Sequence, residues 1–113
     1  EHGFTPGVGA TLMYPARFGP VLGAEMLFAA RRYTGRELAT RGAPMSVVRR
    51  DQVVERALEL ALEMARMPLL HLKLLKQRLS SEIRSRLPGV FEEELAMHRE
   101  IFSLEKDPKP DHE

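Results

Sequence analysis

Residues 3–11 read GFTPGVGAT, a glycine-rich turn that runs straight into an amphipathic segment. Glycines on both sides of a proline let the backbone take positive φ and approach a ligand or a neighbouring segment closely. Thr5 is placed to cap the helix that follows, with Pro6 at the first helical position. Free N–H groups at such a helix start favour a negative charge nearby. The turn alone predicts a corner of the fold, with or without a ligand against it.

The composition limits the class of protein. A chain of 113 residues suits one small domain or part of a larger one. The lack of cysteine excludes disulfides and thiolate chemistry and predicts a cytoplasmic protein. A net charge of only +1, with no basic stretch interleaved with aromatic residues, argues against a nucleic-acid partner. No apolar run is long enough to span a membrane.

Helical periodicity accounts for most of the chain. Pro20 suits a first helical turn, Gly42 the position after a helix end, and Asp51 an N-cap. Pro88-Gly89 is expected to separate the last two helices. The predicted helices span residues 9–17, 20–32, 36–40, 52–67, 68–86 and 90–104.

The predicted helix at 52–67 has two distinct faces. Val54 and Leu58 belong to an apolar stripe that we expect to face a core. The acidic stripe beside it is expected to be solvated, with Arg56 and Glu59 spaced for a weak ion pair.

One short strand is predicted at Met45-Ser46-Val47-Val48, where β-branched residues cluster. A single strand cannot form a sheet, and a glycine turn is an unusual first feature for an independent fold. We therefore expect residues 1–104 to be part of a larger domain that depends on preceding chain. Residues 105–113 are polar and contain proline, which predicts a disordered tail.

His98 is the strongest candidate for chemistry. It shares a helical stripe with Phe91, Leu95 and Phe102, so its imidazole is expected among apolar side chains. A histidine there could transfer a proton near neutral pH. The alternative is a core histidine whose ring nitrogens bind a carbonyl oxygen or a water molecule, and the pattern alone favours this alternative.

The other polar groups carry weaker signals. His71 lies between leucines and is expected to be structural, while Glu92 and Glu93 look like first-turn helix acids, together with Glu94. No group of residues has metal-ligand spacing, so no metal is expected. Basic residues are usually plain surface, but some could bind the phosphate of a pantetheine arm or the acidic helix of a carrier protein. The residues considered for that contact are Lys73, Lys76 and Arg78.

Several motifs together resemble the crotonase (enoyl-CoA hydratase/isomerase) superfamily over residues 1–104. One is the turn Pro6-Gly7-Val8-Gly9-Ala10-Thr11, which resembles the Pro-Gly-x-Gly-x-Thr turn of that family. Within the superfamily, the chain is most similar to the decarboxylating enoyl-CoA-hydratase-like proteins of polyketide β-branching cassettes. The motifs that carry this finer similarity are Gly3 to Thr11, Glu25-Met26-Leu27-Phe28, Arg41-Gly42-Ala43-Pro44 and Glu93-Glu94-Leu95-Ala96-Met97-His98.

The resemblance implies an α/β crotonase fold (a ββα spiral) in the complete domain, of which this chain is the mostly helical C-terminal part with one short strand. It implies decarboxylation of a methylglutaconyl-type thioester on an acyl carrier protein to a methylcrotonyl-type thioester. His98 matches a histidine of these decarboxylases that acts in catalysis. No cofactor is implied beyond the phosphopantetheine that carries the substrate. The residues expected to contact the substrate are Thr5, Pro6, Gly7, Val8 and Phe102.

Superfamily members commonly form trimers, so a homotrimer is expected when the domain is complete. The oxyanion-hole donors and a lysine partner of the family fall in preceding chain, and the fragment alone is expected to be inactive. The carboxylate that hydratases use falls just before Glu1, which leaves an enoyl-CoA hydratase or enoyl isomerase as an alternative. A non-catalytic helical interaction module is a second alternative.

Overall fold

A computed structural model describes residues 6–106 of the chain. These residues divide into two compact units, one formed by the chain up to Arg31 together with the chain from Ser85 onward, the other by Arg32–Arg84. The elements are α1 (Ala10–Phe18), α2 (Pro20–Ala29), α3 (Gly35–Thr40), a 3₁₀ helix (Arg50–Gln52), α4 (Val53–Met64) and α5 (Leu69–Lys106). No helix of the described part is long and apolar enough to cross a membrane. A cytoplasmic location stays a prediction.

The first unit is built on the packing of α1 against α2. A single residue, Gly19 with φ of 88°, joins the two helices, and Pro20 begins α2 as predicted. Leu12 and Leu22 are buried where the helices meet. Gly23 lies so close to Pro15 that no side chain fits between them.

Both ends of this helix pair differ from the prediction, because left-handed residues stop a helix. Helix α1 (Ala10–Phe18) lies within one residue of the predicted range 9–17, but Pro6 is not in its first turn, since Val8 and Gly9 have φ of 58° and 83°. The cap assigned to Thr5 lies outside the described residues. Helix α2 ends at Ala29 and not at residue 32, because Ala30 has φ of 49°.

In the second unit, α3 begins with a capping box formed by Thr34 and Glu37. The Thr34 hydroxyl accepts from the Glu37 N–H at 3.1 Å, and the Glu37 carboxylate accepts from the Thr34 N–H at 3.4 Å. The glycine expected after this helix, Gly42, has φ of 76° and confirms the predicted stop.

The strand predicted at residues 45–48 is wrong for the described part of the chain, where no strand is found. A strand needs a partner to accept and donate its backbone hydrogen bonds, and residues 6–106 otherwise form helices and turns. The N-cap predicted at Asp51 is also wrong. Asp51 lies inside the 3₁₀ helix and pairs with Arg49 (Nε to Oδ1, 3.5 Å), while Gln52 precedes α4, which ends at Met64.

Helix α5 is continuous where two helices were predicted. Pro68 lies just before it, and its carbonyl accepts from the N–H of Leu72 at 3.1 Å. Pro88 and Gly89 lie inside the helix. Pro88 lacks an N–H and so forgoes one helical hydrogen bond, but the turns on both sides continue. Helix α5 includes Glu105 and Lys106, while residues 107–113 lie outside the described residues, so the disordered tail stays a prediction.

Much of the apolar surface of the second unit is exposed. The stripe of α4 that was expected to face a core is not buried: Val54 and Leu58 are both exposed. Leu70, Leu74 and Leu79 on α5 are also exposed. The predicted Arg56–Glu59 pair is confirmed at 3.4 Å between Nη1 and Oε2. An apolar surface of this extent is typical of a face that other protein covers.

Candidate functional site

A buried glutamate holds the glycine turn to α5. Glu94 is 3% exposed, and its carboxylate accepts hydrogen bonds from residues at the start of α1. Oε1 accepts from the N–H of Gly9 at 2.7 Å, and Oε2 accepts from the N–H and the hydroxyl of Thr11 at 3.1 and 2.8 Å. The negative charge lies at the positive end of the α1 dipole. These bonds fix Gly9 and Thr11 against the middle of α5.

The charge of Glu94 is stabilised in spite of its burial. Burial raises the pKa of the Glu94 carboxyl, since it penalises the ionised form. The hydrogen bonds from the Thr11 N–H, the Gly9 N–H and the Thr11 hydroxyl, with the charge of His98, lower it by more. The pKa of Glu94 therefore lies below its ordinary value of 4.5, and the ionised carboxylate is the form that the fold stabilises.

The lowered pKa predicts an acid-dependent loss of stability. Above the ordinary glutamate pKa the contribution of Glu94 is complete, and it is lost as the pH falls through the lower pKa of the folded state. Between the two values the unfolded chain binds more protons, so the free energy of unfolding rises with pH. Urea unfolding measured across the acidic range, with Glu94→Gln and with Glu92→Gln as an exposed control on the same helix, checks this. Equal acid slopes in wild type and Glu94→Gln would contradict it.

Beside this anchor lies an open pocket of about 380 Å³. A Cβ added to Gly7 would lie 3.3 Å from Nε2 of His98, so the turn passes directly against the imidazole. The pocket is mainly apolar, and His98 supplies its titratable ring. Its lining residues are Gly7, Val8, Phe91, Glu94, Leu95 and His98.

Val8 is held in an unusual backbone conformation at the mouth of this pocket. Its φ of 58° is in the left-handed region, which a β-branched residue rarely adopts, and its side chain is 94% exposed. Such a conformation persists only where the surroundings impose it. The N–H of the next residue, Gly9, donates a hydrogen bond to Oε1 of Glu94 at 2.7 Å, which holds the chain directly after Val8.

The structure brings together the main residues predicted from the sequence. His98 is half-buried and lines the pocket with Gly7 and Val8. Pro6 and Phe102 are not among the lining residues; Phe102 is 59% exposed, and its ring lies 4.7 Å from Nζ of Lys106. The apolar stripe around His98 thus lines an open pocket and is not a closed core, because Phe91 and Leu95 are also exposed. Thr5 lies outside the described residues.

The remaining predicted residues belong to the second unit. His71 and Leu70 are exposed and Leu72 is half-buried, and the expectation that His71 is structural stays a prediction. Lys73, Lys76 and Arg78 are exposed on the same helix, and their contact with a carrier protein stays a prediction. Within residues 6–106 no group of histidine and acidic side chains could hold a metal ion.

Sequence reasoning missed Glu94. It was placed among first-turn helix acids because Pro88-Gly89 was expected to break the helix just before it. In the continuous α5 it lies one turn before His98, on the same face. The i,i+4 spacing of a glutamate and a histidine on an otherwise apolar stripe was the available signal.

Residues 1–109 match the enoyl-CoA hydratase/isomerase family, and the chain belongs to that family. It is 42% identical over 106 residues to the bacillaene synthase decarboxylase PksI of Bacillus subtilis (strain 168). The matched region covers 94% of this chain and 43% of PksI. The chain thus spans less than half the length of that relative.

Solved structures give the same picture. One comes from a dehydratase/decarboxylase enzyme couple involved in polyketide β-branching, with 44% identity and a TM-score of 0.83, covering 86% of this chain and 43% of the other. Another is the ECH2 decarboxylase domain of CurF from Lyngbya majuscula, with 38% identity and a TM-score of 0.84, covering 88% of this chain and 41% of the other. The described residues therefore have the fold of the helical part of a crotonase-like domain, as predicted.

Proposed function

We propose that this chain, together with the preceding part that its relatives carry, decarboxylates a methylglutaconyl-type thioester on an acyl carrier protein. The product is a methylcrotonyl-type thioester in polyketide β-branch formation. The observation that carries the proposal is the placement of His98 against the Gly7 turn in a mainly apolar pocket. The similarity at 42% and 44% identity to proteins named for decarboxylation in polyketide synthesis supports it.

The pocket suits the loss of carbon dioxide from a carboxylate. An apolar wall weakens the solvation of the carboxylate, which favours its conversion into a neutral gas. When the C–C bond breaks, its electron pair delocalises into a dienolate whose charge lies on the thioester oxygen. We expect His98 either to hydrogen-bond the departing carboxylate or to protonate the γ-carbon of the dienolate, the carbon that loses the carboxylate, which gives the methylcrotonyl-type product. The donors that stabilise the thioester oxygen belong to the preceding part of the protein.

Activity requires that preceding part. The exposed apolar side chains of α4 and α5 in the second unit are consistent with a surface covered by the rest of the domain or by a second copy in a homotrimer. Lys73, Lys76 and Arg78 are the proposed contacts for the carrier protein or its phosphopantetheine, since that partner is acidic. No cofactor is proposed beyond the phosphopantetheine arm.

Water addition to an enoyl thioester is the second candidate, because the matched family includes hydratases and isomerases. It needs a carboxylate that is free to activate water. Glu94 supplies the carboxylate among the pocket-lining residues. Both of its oxygens already accept hydrogen bonds from the N–H groups and the hydroxyl at the start of α1. Glu94 is therefore a poor base for hydration, and a hydratase would depend on the carboxylate expected just before Glu1. The similarity to proteins named as decarboxylases argues against the other alternative, a non-catalytic helical interaction module.

The test is a pair of incubations of the complete protein. With a methylglutaconyl thioester on an acyl carrier protein, we expect mass spectrometry to find the acyl group lighter by one carbon dioxide. With a crotonyl thioester, we expect no gain of water. Hydration of the crotonyl thioester with no carbon dioxide release from the first substrate would overturn the proposal.

A further inference from the structure

We propose that Glu94 is a positioning residue for the proposed reaction: it holds the Gly7–Gly9 turn at the distance from His98 that forms the reactive wall of the pocket. This inference rests on the proposed function. In the proposed reaction, Glu94 itself does not touch the reacting atoms. Its oxygens are all committed to the start of α1, and its part is to fix two other elements with respect to each other.

Glu94 and His98 contact opposite ends of the same turn. Glu94 and His98 lie one turn apart on the same face of α5. The carboxylate of Glu94 binds Gly9 and Thr11, while Nε2 of His98 lies against Gly7. The same short turn is therefore held at one end by Glu94 and faces the imidazole at the other.

The turn is strained at Val8. Val8, between those two contacts, has a backbone conformation that is unfavourable for a β-branched residue. Without the carboxylate, the turn can relax to an extended or helical conformation at Val8. Gly7 would then move away from His98, and the pocket would lose the wall that Gly7 and Val8 form.

Replacement of Glu94 by glutamine tests this role. Glu94→Gln keeps the shape of the side chain but has only one acceptor oxygen. Its NH₂ group must then face the N–H of Gly9 or of Thr11, where two donors repel. Misplacement by about 1 Å costs on the order of 100-fold in rate. We therefore expect kcat/KM for carbon dioxide release to fall about 10- to 100-fold in the complete protein.

Leu22→Ala is the matched control for stability. Leu22 is a buried residue of α2 and is not among the pocket-lining residues, so its truncation destabilises the same unit without releasing the turn. Both variants are assayed at a temperature where circular dichroism shows them folded. We expect Leu22→Ala to keep the wild-type kcat, and Glu94→Gln to lose most of it. An equal loss in both variants, or wild-type activity in Glu94→Gln, would overturn the inference.

A milder pair decides the matter if Glu94→Gln does not fold. Thr11→Val removes one of the donors to Glu94, while Thr11→Ser keeps the hydroxyl. A loss of at least about threefold in kcat/KM for Thr11→Val relative to Thr11→Ser supports the inference, and equal values overturn it. Failure of the proposed function is distinguishable, because the wild-type protein would then release no carbon dioxide at all.

Discussion

Replacement of His98 by alanine is expected to slow carbon dioxide release by the complete protein about 10²- to 10⁴-fold, the usual contribution of a positioned proton-transfer group. The half-buried ring lines the pocket beside Gly7, so its removal takes away the imidazole there. The fold is expected to survive, because alanine is the best helix former and position 98 is well inside α5. Carbon dioxide release under single-turnover conditions measures the effect.

His71→Ala is the matched control. It removes the same side chain from an exposed position of the same helix, in the other unit. We expect its rate to equal that of the wild type. A normal rate in His98→Ala would remove this histidine from the mechanism, as would an equal loss in the two variants.

Replacement of Gly23 by alanine is expected to lower the free energy of unfolding. An added Cβ would lie 2.6 Å from both Cα and N of Pro15 and 2.7 Å from the carbonyl carbon of Tyr14. These are backbone atoms, so α1 and α2 must move apart to make room. Overpacking of this kind costs about 1–3 kcal/mol or more, which exceeds the gain of about 1 kcal/mol from replacing a helical glycine. Urea unfolding of the complete protein measures the change.

The control for Gly23 is the same substitution at Gly89. This glycine is also helical, lies inside α5, and an added Cβ would meet nothing within 4 Å. Gly89→Ala is therefore expected to raise the free energy of unfolding by about 0.5–1 kcal/mol. The packing described for α1 and α2 is wrong if both variants shift stability in the same direction.

The sequence predicts well what depends on local chemistry. Pro20 begins a helix and Gly42 follows one because their preferences act within a turn of the chain. The strand at residues 45–48 was wrong because its partners are not among residues 6–106. The break at Pro88-Gly89 was wrong because one lost hydrogen bond does not stop a long helix whose other turns are intact.

The site shows the same division between local and distant contacts. The position of His98 on an apolar stripe was visible in the pattern, and the family resemblance gave it a role. The partners of Glu94 were not visible, because Gly9 is 85 positions away along the chain. Only the fold brings that N–H to the carboxylate. The strained φ of Val8 likewise follows from this contact and not from the preference of valine.

A crystal structure of the complete protein with an unreactive analogue of the methylglutaconyl thioester tests the central claim most directly. The proposed mechanism predicts that the acyl chain lies between the Gly7–Val8 turn and α5, with its carboxylate, or the γ-carbon that bears this carboxylate, next to Nε2 of His98. An acyl chain bound elsewhere, with the imidazole facing only solvent, would contradict it.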